Sequence, residues 1–287
     1  MTIEGEKVTK KLFTKTFKKR YYEDLWLKMQ DLIIQGSSFT NDEFVVGASC
    51  PWMTKPWFVK SEIRRFAIKA QLSLLNGQWN LHQWKLSPSP LCPYCQNDSP
   101  PKQVTETTIH ILNHCPSRLP FMLDRHNEAL KVLEKHLNDL HSSGKEEKQF
   151  MSKLTIDLSP DLSIINSNLR PDLIAIFDAN SKNKAFVAVV DIKTPWPYNI
   201  AESNSRNLAH YDSILNSYKQ IYPSSSLSTL PIPSVGPITS HSIIALNCLN
   251  IPSRSHAKLL RDMSMAMTTS NYRVQKTLRK PQKQSAS

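Results

Sequence analysis

Three cysteines and one histidine lie close together in the chain and could ligate one metal ion. Cys92 and Cys95 have the Cys-x2-Cys spacing with which a single tight turn presents two thiolates, and His110 and Cys115 follow them. Four such ligands complete the tetrahedral shell that structural Zn²⁺ prefers and leave no position open for a substrate. His114 is an alternative to His110, although its place beside Cys115 makes joint ligation awkward. The spacing therefore predicts a structural zinc site.

The competing interpretation is a set of unrelated buried cysteines near two surface histidines. Complete ligand sets at this spacing seldom arise by chance, so the zinc interpretation is preferred. The other two of the five cysteines, Cys50 and Cys248, stand alone and are most simply small core residues. An odd number of unevenly placed cysteines argues against a disulfide scaffold.

A second group of charged side chains lies in "RPDLIAIFDANSKNKAFVAVVDIKTPW", residues 170–196. Alternation along the second apolar run places Asp191 and Lys193 on one face of a strand. Asp172 begins the first run, so an antiparallel hairpin would bring the three side chains together. Two carboxylates can hold Mg²⁺, which stabilises charge on a phosphodiester and lowers the pKa of an attacking water. Lys193 would orient that water or neutralise the pentacoordinate phosphate.

Any one of these three residues, taken alone, is more simply explained as structural. Asp172 could cap the turn after Pro171, and Lys193 could extend its stem along the end of a strand. The pattern is short, and chance matches to short motifs are common. Taken alone, the spacing leaves the nuclease and the structural interpretations both open.

The elements that must position these groups are predicted from hydrophobic spacing. Helical periodicity predicts five helices, over 7–35, 58–76, 120–141, 202–221 and 255–269. Gly77 is a suitable C-cap for the second of them. The two apolar runs of 170–196 predict strands, and "SHSIIALNCLNI" predicts further β structure. Residues 36–57 and 223–237 are predicted to be loops, and the mixed composition of 142–168 supports no prediction.

The charge balance restricts the class of partner. The chain of 287 residues has a formal net charge of +12, which favours a polyanion, with nucleic acid ahead of an anionic membrane surface. Six glycines against nineteen prolines argue against Gly-rich phosphate loops. The N-terminus lacks the apolar core of a signal peptide, and no apolar stretch is long enough to span a bilayer. We therefore expect an intracellular protein that has no membrane partner.

Both motifs, in this order, resemble the C-terminal region of non-LTR retrotransposon polyproteins that carry a restriction-like endonuclease. The resemblance is carried by "NGQWNLHQWKLSPSPLCPYC", "ETTIHILNHCP", "DRHNEAL", "RPDLIAI" and "VVDIKTPW". It implies that the Cys/His set forms a zinc knuckle and that a PD-(D/E)xK nuclease follows it. It likewise implies that Asp172, Asp191 and Lys193 are the catalytic residues, with Mg²⁺ held by the two aspartates.

The chain departs from that family in two respects. No Tyr/Phe-x-Asp-Asp pair of a reverse transcriptase occurs, so we expect a fragment, a truncated copy or a domesticated descendant. The family often carries its working lysine on the next helix, where Arg206, His210 and Lys219 are candidates besides Lys193. An upstream acidic residue is also usual in restriction folds. Glu128 and Glu134 both fit, and the sequence does not choose between them.

These observations predict an α+β protein with four regions. The first region, 1–91, is a helical N-terminal part, and a zinc knuckle follows over 92–116. A restriction-endonuclease-like α/β core is predicted over 117–270. The last region, 271–287, is a basic flexible tail. The expected function is nuclear, metal-dependent nicking of DNA, with RNA as an alternative ligand and any reverse transcriptase supplied by another chain. The alternatives are a nucleic-acid-binding knuckle with an inactive nuclease fold and, less favoured, a zinc-stabilised interaction protein with an unrelated core.

Overall fold

The structure is a computed structural model of the chain. It describes residues 2–3, 6–7, 59–97, 100–143, 150–156, 169–178, 185–235 and 238–277. Four features predicted from the sequence fall largely outside these ranges: the first helix, the loop after it, Cys50 and most of the basic tail. Those predictions stay untested.

The chain mixes helices and strands, as the sequence predicts. The helices are α1 (Ser61–Gln71), α2 (Gln78–Gln83), α3 (Pro93–Gln96), α4 (Leu119–Ser143), α5 (Ile200–Ile221), α6 (Ser240–Cys248) and α7 (Ser253–Thr277). The strands are β1 (Thr2–Ile3), β2 (Glu6–Lys7), β3 (Phe150–Ile156), β4 (Leu173–Asp178), β5 (Phe186–Lys193) and β6 (Ser226–Pro231). Within the described residues, a π-helical turn (His110–His114) and two 3₁₀ turns (Pro116–Arg118 and Pro197–Asn199) complete the set.

Four strands form one sheet in the order β3-β4-β5-β6. β4 and β5 pair antiparallel, which confirms the hairpin predicted from 170–196. β5 and β6 pair parallel, and the helix α5 makes the crossover that parallel pairing requires. Leu173 pairs with Val190 at one end of the β4–β5 ladder. One step further in the same register, Asp172 lies opposite Asp191.

Helices cover both faces of β5, and this explains why its sequence is almost continuously apolar. Val187 and Val189 pack with Tyr211, Ile214 and Tyr218 of α5. The intervening residues face the larger core, which α4, α6 and α7 complete: Ala188, Val190 and Ile192. Because side chains alternate along a strand, Asp191 and Lys193 belong to the α5 face.

A second core joins the N-terminal part to the sheet. Phe66 of α1 packs with Ile111 of the π-helical turn, with Trp196 just after β5 and with Val274 of α7. Tyr272 meets the Phe66 ring edge-on at 5.8 Å. The segment that carries the Cys/His set is therefore held against the end of β5 by apolar packing.

Three predicted helices are confirmed in place, as α4, α5 and α7. The helix predicted over 58–76 ends earlier, at Gln71, because Ser73 takes a left-handed conformation with φ of 55°. Gly77 precedes α2 instead of ending α1. A Cβ at Gly77 would lie 2.5 Å from Ile111 Cδ1 and 2.6 Å from the Glu106 carbonyl oxygen, so only glycine fits there.

Two predictions are wrong. The run "SHSIIALNCLNI" forms helix α6 instead of β structure, and the supposed loop over 223–237 contains strand β6. For the stretch 142–168 the sequence supports no prediction, and the structure has β3 there. Short apolar runs fit a buried helix or a buried strand equally well, and tertiary packing decides between them.

The last helix also runs further than the sequence predicts. α7 continues to Thr277, so the first residues of the predicted tail are helical, and Asn271 is buried. None of the helices in the described ranges is both long enough and apolar enough to cross a membrane.

Candidate metal centre and adjoining cleft

The four predicted zinc ligands converge in the fold. Ligand atoms of Cys92, Cys95, His110 and Cys115 all lie within 4.8 Å of one another, and all four residues are buried. The Sγ atoms of Cys92 and Cys115 are 3.9 Å apart, and Cys95 Sγ is 3.4 Å from His110 Nε2. Tetrahedral ligands about 2.0–2.3 Å from a zinc ion are about 3.4–3.8 Å apart. The cluster has the dimensions to hold a metal ion.

Short turns present these ligands. Cys92 caps α3 with Pro93 in the first helical position, which turns Cys95 back toward Cys92. The Cys92 amide donates to the Val104 carbonyl at 2.7 Å, and this contact fixes the opposite side of the loop. The π-helical turn buries His110 and leaves His114 exposed. The structure therefore places His110, and not His114, beside the three cysteines.

The chemistry of the four ligands suits a bound cation. Burial raises the pKa of the Cys95 thiol to about 12, and the neighbouring thiols of Cys92 and Cys115 add to the shift. Burial lowers the pKa of His110, so its imidazole is neutral and can act as a ligand. A metal ion would replace the thiol protons, as in other cysteine-rich metal sites.

A buried ion pair lies beside the cluster. Arg118 Nη2 donates to Glu106 Oε1 at 2.8 Å, and the same oxygen is 3.8 Å from Cys92 Sγ. The guanidinium also lies 5.1 Å from the ring centre of Tyr94, and Glu106 Oε2 accepts from the Gln78 amide at 2.8 Å. Burial raises the pKa of the Cys115 thiol, and the charge of Arg118 works against that rise. The sequence alone does not indicate this pair, because the burial of Glu106 and Arg118 depends on the folded loop.

The predicted catalytic residues also come together. Asp172 stands just before β4, and its Oδ2 accepts from the Ile192 amide at 2.6 Å. Lys193 Nζ lies 2.5 Å from Asp191 Oδ2. All three side chains lie at one end of the β4–β5 pair, on the face that α5 covers. The structure shows this proximity, and the roles of the residues stay predictions.

Burial and neighbouring charge shift the ionisation of this group. Burial raises the pKa of Asp191, the charge of Asp172 adds to the rise, and Lys193 opposes it. Burial also raises the pKa of Tyr211, with the charge of Asp191 adding to the shift. The Tyr211 hydroxyl donates to the Arg170 carbonyl at 3.1 Å.

A histidine from α4 reaches the same group. His126 Nε2 lies 3.0 Å from Asp172 Oδ2. Although burial works against its charged form, the hydrogen bond and charge of Asp172 raise the pKa of His126. Both aspartates thus contact a basic side chain within the protein. This geometry lends the predicted magnesium no separate support.

Neither of the two candidates for the upstream acidic residue, Glu128 and Glu134, is in an ion pair with the predicted catalytic residues in the described part of the chain. Glu128 pairs with Lys131 at 3.0 Å on the outer side of α4. Glu134 is eight residues beyond His126, or about 12 Å along the helix axis. His126 therefore occupies the place near Asp172 where the sequence predicts an acidic residue.

Among the candidates for the lysine role, Lys193 contacts Asp191. Arg206 and His210 of α5 line a cleft beside it, where Arg206 pairs with Glu202. Lys219 is exposed near the far end of α5. The structure thus favours Lys193 by position.

The cleft connects the two groups of residues. It has a volume of about 570 Å³ and lies between the π-helical turn, α4, the segment after β5 and α5. Its lining includes Asn113 and His114 beside the metal cluster, Arg125 of α4, and Lys193 and Thr194 at the end of β5. Asn113 Nδ2 donates to the Thr194 carbonyl at 3.1 Å and so ties the metal-cluster turn to the sheet.

Arg125, His126 and Tyr211 are the site residues that sequence reasoning missed. Arg125 and His126 belong to "DRHNEAL", a segment that carries the resemblance, yet no role follows from their spacing. Tyr211 is buried on its helix, and in the sequence it cannot be distinguished from an ordinary core residue. Their contacts with residues distant in the chain reveal them.

The chain matches no protein-family model, and a search of curated proteins finds no match.

Proposed function

We propose that the chain is a metal-dependent endonuclease that nicks DNA, with Asp172, Asp191 and Lys193 as its catalytic residues. One observation carries the proposal. Two carboxylates lie opposite each other at one end of an antiparallel strand pair, with an ammonium 2.5 Å from one of them. Charged groups placed together at the buried end of a sheet are costly, and such clusters are typical of catalytic sites.

The surrounding fold supports a restriction-endonuclease-like core. The two strands that bear the aspartates are the middle strands of the four-stranded sheet, with α4 on one face and α5 on the other. A relationship to non-LTR retrotransposon polyproteins would account for this core and for the Cys/His set that precedes it in one chain.

Each site residue has a task that follows from its position. Mg²⁺, when bound by Asp172 and Asp191, would polarise the phosphodiester and supply a hydroxide nucleophile at neutral pH. Lys193 leaves Asp191 and donates to the phosphate oxygens, where negative charge develops during the reaction. The Ile192 amide holds Asp172 in place through the 2.6 Å hydrogen bond. Tyr211 is buried near Asp191, whose charge adds to the effect of burial in raising the pKa of the Tyr211 hydroxyl.

The Cys/His cluster is proposed to hold structural zinc. Its four donors, their burial and their spacing fit a closed tetrahedral site, and the soft thiolates suit zinc better than magnesium. Zinc would fix the π-helical turn and, through Asn113 and Thr194, the position of that turn relative to β5.

Nucleic acid is the proposed partner because of the net charge of +12 and the basic side chains that line the cleft. DNA is the proposed substrate and RNA the alternative. Cleavage of DNA implies a nuclear site of action. A reverse transcriptase from another chain would be needed if the nick primes DNA synthesis.

The second candidate is a nucleic-acid-binding zinc knuckle with an inactive nuclease fold. The observation in its favour is that both carboxylates already contact basic side chains, Lys193 and His126. A carboxylate neutralised within the protein gains less from a divalent ion. This candidate predicts DNA binding without cleavage.

Nicking of supercoiled plasmid distinguishes the two candidates. The purified chain should convert supercoiled DNA to the open circle when Mg²⁺ or Mn²⁺ is added, and Asp191→Asn should bind DNA without nicking it. Asp212→Asn is a matched control, because Asp212 is an exposed aspartate of the neighbouring helix α5. Tight binding without nicking under either metal would favour the second candidate.

A further inference from the structure

A guanidinium without an acidic partner lines the cleft. Arg125 is only 2% exposed, yet its contacts are with neutral acceptors: the Leu112 carbonyl, Asn271 Oδ1 at 3.2 Å and Thr194 Oγ1 at 2.9 Å. Within the described part of the chain, no carboxylate pairs with it, and its Nε has no hydrogen-bond partner. Burying a charge without a counter-charge is costly, so the fold maintains this arrangement at the expense of stability.

A second donor of the cleft also lacks an acceptor. Trp196 is 1% exposed and lines the same cleft, and its Nε1 has no hydrogen-bond partner in the described residues. An indole N–H can only donate, and so can a guanidinium. Two buried donors, one of them charged, require an acceptor that carries negative charge.

The identity of that acceptor follows from the position of Lys193. This residue contacts Asp191 at 2.5 Å and also lines the cleft, so the cleft adjoins the carboxylates. A nucleic-acid strand with one phosphate at the carboxylates would bring a neighbouring phosphate within reach of the cleft. Arg–phosphate hydrogen bonds are charge-assisted and about twice as strong as neutral ones.

We propose that the cleft binds a backbone phosphate of nucleic acid next to the cleaved one, through Arg125 and Trp196. The proposal rests on the proposed nuclease function, because it is the substrate's own strand that supplies the phosphate. Arg125 is a binding residue with a second, structural task. Its other contacts join the metal-cluster turn, α7 and the segment after β5, and they hold the guanidinium rigidly at the cleft.

Binding of a fluorescent single-stranded deoxyoligonucleotide, without added magnesium, tests the proposal. Arg125→Gln should weaken binding by about 30-fold or more, the usual effect of removing a buried charged partner. The number of counterions released on binding, measured from the dependence of affinity on salt concentration, should fall by about one. Loss of a purely structural residue would leave that number unchanged. Lys219→Gln is the matched control, since it removes the same charge from an exposed position and should weaken binding less than about 3-fold.

Metal content and the thermal midpoint show whether Arg125→Gln is folded. A folded variant that binds the oligonucleotide like the native chain overturns the proposal. If the variant does not fold, crystals of the native chain soaked in tungstate decide the matter. Tungstate, as a phosphate analogue, should bind at Arg125 Nε, and tungstate found only elsewhere, or not at all, overturns the proposal.

Inorganic phosphate tests the source of the ligand. It should compete with the oligonucleotide only weakly, because it makes none of the other strand contacts. Free phosphate that binds as tightly as the oligonucleotide would overturn the nucleic-acid assignment. If the native chain nicks DNA and Arg125→Gln binds the oligonucleotide as tightly as the native chain, only the proposal of phosphate binding in the cleft is refuted. If binding depends on Arg125 and the native chain does not nick DNA, only the proposed nuclease function is refuted.

Discussion

The two candidate metal sites, the Cys/His cluster and the pair of aspartates at the sheet end, differ in whether their ligands already have basic partners within the protein. In the Cys/His cluster, four donor atoms lie at distances that suit a single ion, and the nearby Arg118 pairs with Glu106 instead of with a ligand. At the sheet end, Asp172 and Asp191 contact His126 and Lys193. A metal ion would therefore stabilise the cluster directly, whereas at the sheet end an ion would have to replace the basic partners of the aspartates.

This difference suits the two proposed roles. A structural ion must remain bound, and a closed shell of thiolates with imidazole holds zinc tightly. A catalytic ion must be accessible, and Mg²⁺ characteristically binds through one or two carboxylates together with substrate phosphates. The paired state of the aspartates is thus what we expect of a site that assembles fully only with its substrate.

The largest expected effect comes from removing a ligand of the cluster. Cys92→Ser or Cys115→Ser should abolish the one Zn²⁺ per molecule that we expect by atomic absorption. It should also unfold residues 92–116, because structural zinc supplies about 10–16 kcal/mol in small zinc-binding domains. Cys248→Ser, at a cysteine outside the cluster, is the matched control. A well-folded, metal-free native protein would refute the zinc proposal.

Removal of both aspartates should destroy activity without harming the cluster. Asp172→Asn with Asp191→Asn should eliminate nearly all nicking, since both proposed magnesium ligands lose their charge. Zinc content should stay at one, and DNA binding should be unchanged or stronger because negative charge near the phosphate is lost. Nicking that persists in the double variant would mean that the site is assigned wrongly.

A smaller effect is expected for the lysine. Lys193→Ala should slow single-turnover nicking by ~10²–10³-fold, as removal of an electrostatic stabiliser does in other enzymes. It should also tighten Mg²⁺ binding, because Asp191 loses its internal partner. Equal slowing by Lys219→Ala, on the far part of α5, would argue against a specific role of Lys193.

The smallest effect is expected at the histidine that the fold leaves outside the cluster. His114→Ala should leave zinc content and thermal stability unchanged, since the side chain is exposed. His110→Ala should lower zinc affinity strongly, because it removes a buried ligand 3.4 Å from Cys95 Sγ. Zinc loss in His114→Ala with retention in His110→Ala would reverse the ligand assignment.

The features that could be predicted from the sequence are those formed by residues close together in the chain. The cluster lies within 92–116, and its four ligands follow from local spacing. The β4–β5 hairpin likewise follows from one continuous segment, and it brings Asp172 near Asp191. The amphipathic patterns of α4 and α5 identify those helices because a long pattern fits one period only.

The remaining features depend on contacts between distant parts of the chain. β6 is a strand because it pairs parallel with β5 across the whole of α5, and no local pattern in a Ser/Pro-rich stretch indicates this. Arg125 contacts Asn271 across 146 positions of the sequence. Its unpaired charge becomes visible only when its surroundings are assembled.

Manganese binding measured by electron paramagnetic resonance on the zinc-loaded protein tests the contrast between the two sites most directly. Mn²⁺ serves here as a paramagnetic substitute for Mg²⁺, with a nicked or intact oligonucleotide present to complete the site. The account predicts one Mn²⁺ per chain, lost when Asp172 and Asp191 are both changed to Asn, while zinc content stays at one. Mn²⁺ binding that survives this double change, or that displaces the zinc, would contradict the account.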